Sequence, residues 1–195
     1  SMIKNYVVPF FIIVFLFGCT PKEMVLLQDQ VKGDMPKPDL KTAYFAGGCF
    51  WCLESDFEKL QGVYTVTSGF SGGTTKSPSY DQVSSGSTLH TETVKVMYDP
   101  NVISYLDLLT QYWKIIDPTD NEGSFVDRGK QYRPAIFYTT EQQKALAETT
   151  RDQLEGLNIF DKPLATEITK FTAFYEAEES HQDYHTKNPL RYKYY

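Results

Sequence analysis

Apolar side chains recur along this chain with two periods, every second residue in some segments and every third or fourth in others, and their succession sketches the architecture. Thr42 to Ala46 reads as a short β-rich run, Gly47-Gly48 as a turn, and Leu53 to Leu60 as a helix. Val63 to Gly69 and Glu92 to Tyr98 alternate as strands; in the second, Glu92 shares the apolar face of Val94, Val96 and Tyr98. Ser104 is placed to cap an amphipathic helix reaching Ile116, Arg133 to Tyr138 reads as a strand, and Thr139 to Gly156 as a second capped helix. Ala165 to Lys170 makes a further short strand and Glu176 to Tyr184 a short helix, with long loops at 74–90 and 117–132. Interleaved strands and helices of this kind predict an α/β or α+β two-layer sandwich. No internal repeat is present, and the Ser/Thr/Gly-rich stretch Ser71 to Thr88 is the one region of biased composition.

The first forty residues follow another pattern. Ser1 precedes a natural start at Met2 and reads as an expression remnant. After Lys4 comes an apolar run from Tyr6 to Phe17, which suits the core of a signal peptide and is short for a membrane-spanning helix of roughly 17 to 25 residues. Thr20 to Lys41 is largely polar, contains three prolines and lacks periodicity, so it reads as a tether. About 20 flexible residues have an end-to-end distance on the order of 25 Å. The remainder, 42–195, suffices for one core, and with 195 residues at 41% apolar composition a second full domain would be small. The net charge is −6, with no basic patch to argue for nucleic acid.

The chemistry concentrates in Gly47-Gly48-Cys49-Phe50-Trp51-Cys52-Leu53-Glu54. Cys49 and Cys52 bracket an aromatic pair where strand gives way to helix, so Cys49 stands at a helix N-terminus, whose unpaired N–H groups and dipole favour a thiolate. The bland alternative is a pair of core residues or a structural disulfide. Cys52, three residues along a helical turn, is close enough to Cys49 for a disulfide. Glu92, directed inward, is expected to have a raised pKa. His181 and His185 are four residues apart, with Glu178 and Glu179 nearby, a spacing that on a helix could offer two imidazoles to one metal. The third ligand is unclear and no metal is expected. His90 either orders the loop before Glu92 or tunes its proton.

GCFWC after an apolar strand resembles the nucleophile motif of the A-type peptide methionine sulfoxide reductases. Further stretches match that family in order: Gly69-Phe70-Ser71-Gly72-Gly73 with Pro78-Ser79-Tyr80, His90-Thr91-Glu92, Asp127-Arg128-Gly129-Lys130-Gln131-Tyr132-Arg133, and His181-Gln182-Asp183-Tyr184 with Lys187-Asn188-Pro189. Leu16-Phe17-Gly18-Cys19 resembles the lipobox of bacterial lipoproteins, in which the cysteine is lipidated after cleavage before it. Cleavage there would remove Lys4 alone among charged residues, leaving 18 basic against 25 acidic groups.

The family resemblance implies a central mixed sheet with flanking helices and a coil-rich C-terminal tail. It also implies reduction of the S epimer of methionine sulfoxide, free or in proteins. Cys49 would attack the sulfur and become a sulfenic acid, Glu92 would protonate the oxygen, and Tyr80 and Tyr132 would donate hydrogen bonds to that oxygen. Phe50 and Trp51 would cradle the substrate methyl, and Asp127 would help hold the substrate backbone. Many relatives place resolving cysteines in the tail; this tail has none, which leaves the resolving role to Cys52 or an external thiol. No bound cofactor is expected, and a thioredoxin-like protein or a dithiol would recycle the disulfide. The lipobox resemblance implies an exported monomer lipid-anchored at Cys19, on the periplasmic or cell-surface side, touching the membrane through that anchor only. A fused B-type domain is not expected. The rival readings are a general thiol–disulfide oxidoreductase, which would survive loss of Glu92, and a catalytically silent surface-binding lipoprotein.

Overall fold

Antiparallel pairing of four strands makes the frame of the fold. In a computed structural model describing residues 39–193, β1 (Lys41–Ala46) lies between β3 (Thr91–Tyr98) and β6 (Ala135–Tyr138), and β3 pairs β2 (Val63–Ser71) on its other edge. Parallel pairing of β7 (Glu167–Lys170) with β6 and antiparallel pairing of β8 (Phe174–Glu176) with β2 complete a mixed six-stranded sheet, in the order β7-β6-β1-β3-β2-β8. Cys19, the signal-like run and most of the tether lie outside the described residues.

Alternation decides which side chains build the core. Ala43 and Phe45 of β1 enter the main apolar cluster, whereas Tyr44 and Ala46 face a smaller one with Ala135, Phe137 and Phe171. On the main face lie α1 (Phe50–Glu58) and α3 (Tyr105–Ile115), and Phe45 stacks on Phe57 of the first and Tyr112 of the second, with ring centroids 5.1 Å apart in both pairs. The Tyr112 hydroxyl donates to the Ala46 carbonyl at 2.8 Å, which satisfies the one polar atom that this buried ring carries. Ser104 caps α3 in a reciprocal capping box with Asp107, as the sequence pattern predicts. Thr140 caps α4 (Glu141–Gly156), which is tied to α3 by Trp113 Nε1–H donating to Thr150 Oγ1 at 3.0 Å.

Several segments depart from the sequence pattern. The helix after the glycine turn begins at Phe50 rather than Leu53, because Cys49 itself takes the capping position. The strand expected from Arg133 begins at Ala135, since Pro134 lacks an N–H to give the ladder. The loops also carry structure: α2 (Tyr80–Ser84), capped by Ser79, and a two-stranded ribbon of β4 (Gly123–Ser124) and β5 (Asp127–Arg128).

The single short helix expected over Glu176–Tyr184 is broken into a 3₁₀ turn at Glu179–His181 and a helix α5 (Tyr184–Lys187), followed by α6 (Pro189–Tyr192). Between the first two, Asp183 has a φ of 52° and the Gln182 side chain is drawn to the sheet. Its oxygen accepts from Ser68 N–H and its amide donates to the Ser68 carbonyl, both at 2.8 Å, extending the edge of β2 beyond β8. The tail is thereby held to the domain by a side chain acting as a strand.

Candidate active site

The turn Gly47-Gly48 delivers Cys49 to the start of α1. Gly48 has a φ of +84°, a left-handed conformation natural to glycine, and its N–H donates to the Tyr132 carbonyl at 2.9 Å. Cys49 is the N-cap of α1 and is only 4% exposed. Its carbonyl accepts the N–H groups of Cys52 and Leu53, so the two cysteines share the first helical turn, and both thiols are free.

Glu92 reaches the same turn from β3. It is 1% exposed, faces inward as the alternation predicts, and its Oε2 accepts the Phe50 N–H at 3.0 Å. Burial pushes its pKa up to about 8; the Phe50 N–H opposes this, and the charges of Asp127 and Cys52 add to it. At neutral pH the carboxyl thus carries a proton beside Cys49.

Two phenols converge on the pair from separate loops. Tyr132 ends the 3₁₀ turn Lys130–Tyr132, and the carbonyls on both sides of it, Gln131 and Arg133, accept from the Thr91 hydroxyl at 3.0 and 3.2 Å. Tyr80 opens α2, with its N–H donated to Glu178 Oε1 at 3.2 Å. Burial raises the pKa of both, that of Tyr80 to about 12, and the charges of Glu92 and Cys49 push each further up. Both therefore remain hydrogen-bond donors across the neutral range. Asp127 on β5 lines a groove of about 90 Å³ together with Cys49, Cys52 and Leu53.

Phe50 and Trp51 divide their work. Phe50 is fully buried under the site, 5.9 Å from Phe70 and 6.2 Å from Tyr80 between ring centroids, and forms its floor. Trp51 is half-buried and stacks on Tyr184 of the tail at 3.7 Å, with an interplanar angle of 8°. His181 completes this aromatic wall, stacked on Tyr80 at 4.0 Å and lying nearly parallel to Trp51 at 5.8 Å. Sequence reasoning gave neither His181 nor Tyr184 a part in the site, although both lie in a quoted tail motif. His185 instead faces Glu58 at 3.5 Å, so the two imidazoles serve different surroundings. Near it the carboxylates of Glu54, Glu58 and Asp183 approach within 4.8 Å of one another. Burial pushes Glu54 up to about 7, with the Asp183 N–H and then the Ser68 hydroxyl opposing it. His90 orders the loop before β3: its Nδ1 accepts from Gly73 N–H at 3.1 Å and its Nε2 lies 2.8 Å from the Thr75 carbonyl.

The cysteine pair differs from the expectation of a simple helix-end thiolate. The Cys49 thiol is held protonated by its hydrogen bond to Cys52 and by burial, with the Glu92 charge adding to this once that carboxyl ionises, and the Trp51 N–H offsets only part of it. Cys52 is pulled below its ordinary value by the hydrogen bond from Cys49, then by one from the Tyr192 hydroxyl, against its own burial. The helix N-terminus loses its first leverage because Glu92 already occupies the Phe50 N–H. Taken together, the site offers a soft nucleophile, a buried proton donor, two phenolic donors and an apolar wall.

Residues 41–195 match the family model described as peptide methionine sulfoxide reductase. A peptide methionine sulfoxide reductase MsrA/MsrB from Vibrio cholerae is 50% identical over 83% of this chain, which spans 43% of that longer protein. An MsrA from Ligilactobacillus salivarius is 50% identical over 77% of the chain and 88% of its own length. Among solved structures, reduced Mxr1 from Saccharomyces cerevisiae superposes with a TM-score of 0.73 at 28% identity, covering 80% of this chain and 92% of that one. Mxr1 solved in complex with Trx2 shares the fold, with a TM-score of 0.53 at 20% identity over 77% of this chain and 91% of that one. With a family model spanning its whole described domain and relatives at half identity, the chain belongs to the peptide methionine sulfoxide reductase family, on its MsrA branch.

Proposed function

We propose that this protein reduces the S epimer of methionine sulfoxide in exported proteins, with Cys49 as nucleophile and Cys52 as resolving thiol. The observation that carries the reading is the buried, protonated Glu92 carboxyl bonded to the N–H of the residue after Cys49. A sulfoxide oxygen is a poor leaving group until protonated, so a neutral acid next to a sulfur nucleophile matches the chemistry required. Cys49 sulfur attacks the substrate sulfur while Glu92 protonates the oxygen; the S–O bond breaks, methionine leaves, and Cys49 carries the OH as sulfenic acid. The proton lost by the Cys49 thiol restores Glu92, so atoms and charge balance. The Tyr80 and Tyr132 hydroxyls polarise the S–O bond, Trp51 with Tyr184 and His181 encloses the methyl, and Asp127 helps hold the substrate backbone.

Cys52 then attacks the sulfenic sulfur, water departs, and a disulfide forms. The Tyr192 hydroxyl, a hydrogen-bond partner of Cys52 apart from Cys49, favours its thiolate. A thioredoxin-like dithiol protein returns the two electrons; the Mxr1–Trx2 complex supports that type of donor. The run Tyr6 to Phe17 and Leu16-Phe17-Gly18-Cys19 support export and lipid anchoring at Cys19, with Thr20 to Lys41 as tether.

Single-turnover reaction of the reduced protein with each separated epimer of a blocked methionine sulfoxide tests the reading. One methionine and two thiols lost per enzyme are expected with the S epimer alone. No methionine from either epimer would overturn it in favour of a general disulfide oxidoreductase.

A further inference from the structure

The ribbon between α3 and β6 ends in a two-residue turn, Phe125-Val126, whose flanking residues Ser124 and Asp127 pair directly. Both turn residues are apolar and project outward, Phe125 at 67% exposed and Val126 at 74%. Phe125 also has a φ of 53°, a left-handed conformation that bulky side chains rarely adopt. Most of the apolar surface of this tip stays open to solvent on a backbone that a bulky residue rarely adopts.

The tip is the rim of the groove that contains Cys49 and Cys52, whose remaining walls are Gly47, Gly48, Leu53, Asp56, Ile115, Ser124 and Asp127. That lining includes none of Phe50, Trp51, Tyr80 or Tyr132, so the groove approaches the cysteine pair from a side other than the aromatic wall. Cys52 is the more open thiol of the pair. With room of about 90 Å³, the groove admits a side chain or a reaching cysteine and not a folded partner, which must rest on the rim.

We infer that Phe125 and Val126 form the docking ridge for the thioredoxin-like dithiol protein that reduces the Cys49–Cys52 disulfide. The inference rests on the proposed disulfide cycle and adds the surface where the donor binds. A donor seated on the apolar tip brings its thiolate to Cys52 Sγ, and a mixed disulfide forms there. The Cys49–Cys52 bond breaks with its electron pair going to Cys49. The donor's second thiol then attacks its own sulfur in the mixed disulfide and releases Cys52. The donor ends as a disulfide, and its two protons end on Cys49 and Cys52. An unfolded substrate is the other conceivable occupant, but the aromatic wall of Trp51 and Tyr80 that would seat its methyl lies outside the groove, which shares only Asp127 and the cysteine pair with the substrate side.

The test is the double variant F125N/V126S of the full chain, in which asparagine accepts the left-handed backbone and polar side chains replace the ridge. Turnover of free methionine sulfoxide is measured with dithiothreitol, and separately with a bacterial thioredoxin regenerated by its reductase and NADPH. The expected result is unchanged turnover with dithiothreitol and a KM for thioredoxin raised about tenfold, as for loss of two central apolar contacts in an interface. An unchanged thioredoxin KM overturns the inference, as does a raised KM for an oxidised protein substrate under dithiothreitol. If the unsubstituted protein fails with dithiothreitol, the disulfide cycle itself is at fault rather than the ridge.

Discussion

Phe50 N–H donates to Glu92 Oε2 at 3.0 Å across 42 residues of sequence, fastening the proposed proton donor to the first turn of the helix that Cys49 caps. Nucleophile and acid therefore cannot drift apart without breaking a buried hydrogen bond. The same bond limits how far burial can raise the carboxyl, leaving it at about 8 rather than permanently neutral. An acid at that value is protonated at pH 7 and still gives up its proton readily.

Replacing Glu92 by Gln keeps the shape and an acceptor for Phe50 N–H but removes the transferable proton. The rate of methionine formation in a single turnover is expected to fall about 10²- to 10⁴-fold, the usual worth of a positioned general acid. In the unsubstituted protein the rate is expected to decline above about pH 8 as Glu92 ionises. The variant should show no such decline, and stopped-flow pH profiles of both proteins check this.

Cys52→Ser separates the two halves of the cycle. It removes the partner whose hydrogen bond with Cys49 is the largest influence on both thiols. Methionine is expected still to form once per enzyme, with one thiol lost instead of two and Cys49 left as sulfenic acid. Trapping with dimedone followed by mass measurement reads this directly. A second thiol consumed in the variant, or no methionine at all, contradicts the assignment of Cys52.

Much of this arrangement was legible because it is local. The alternation from Glu92 to Tyr98 fixes one face of β3, Ser104 and Asp107 spell a capping box, and Cys49 follows a glycine turn. What stayed hidden depends on contacts between distant segments. Nothing within His181-Gln182-Asp183-Tyr184 says that Gln182 will complete a strand edge at Ser68, or that His181 and Tyr184 will wall the site beside Tyr80 and Trp51. The resting proton of Cys49 is hidden from the local sequence for the same reason. A helix N-terminus favours a thiolate locally, but Glu92 and Cys52 reverse the balance, and Glu92 arrives from another strand.

Tyr184→Ala tests whether the tail is part of the pocket. Its ring lies 3.7 Å from Trp51, whereas the fastening of the tail to β2 runs through Gln182 and is left intact. The variant is expected to fold normally and to weaken substrate binding, with KM for a methionine sulfoxide peptide raised about fivefold, in line with loss of roughly 1 kcal/mol of aromatic contact. Gln182→Ala should instead lower the unfolding midpoint, since it takes the acceptor from the buried Ser68 N–H at a cost of about 1–3 kcal/mol, while the Ser68 carbonyl keeps the Ala177 N–H.

The buried carboxyls also set how stability depends on pH. Between the ordinary glutamate value of 4.5 and about 8, the folded protein keeps a proton on Glu92 that the unfolded chain has released. The folded state binds more protons there, so stability falls as pH rises, by up to about 1.4 kcal/mol per pH unit from this one group. Its contribution is whole below 4.5 and gone above 8. Glu54, raised to about 7 chiefly by burial, acts with the same sign over a window that closes one unit earlier. Urea unfolding of the unsubstituted protein is therefore expected to give lower midpoints at pH 9 than at pH 5. Glu92 is then absent as a titrating group, so the decline of Glu92→Gln between pH 5 and 9 should be shallower than that of the parent. A variant whose midpoint still falls from pH 7 to 9 as steeply as the parent would show that Glu92 is not the buried acid of this site.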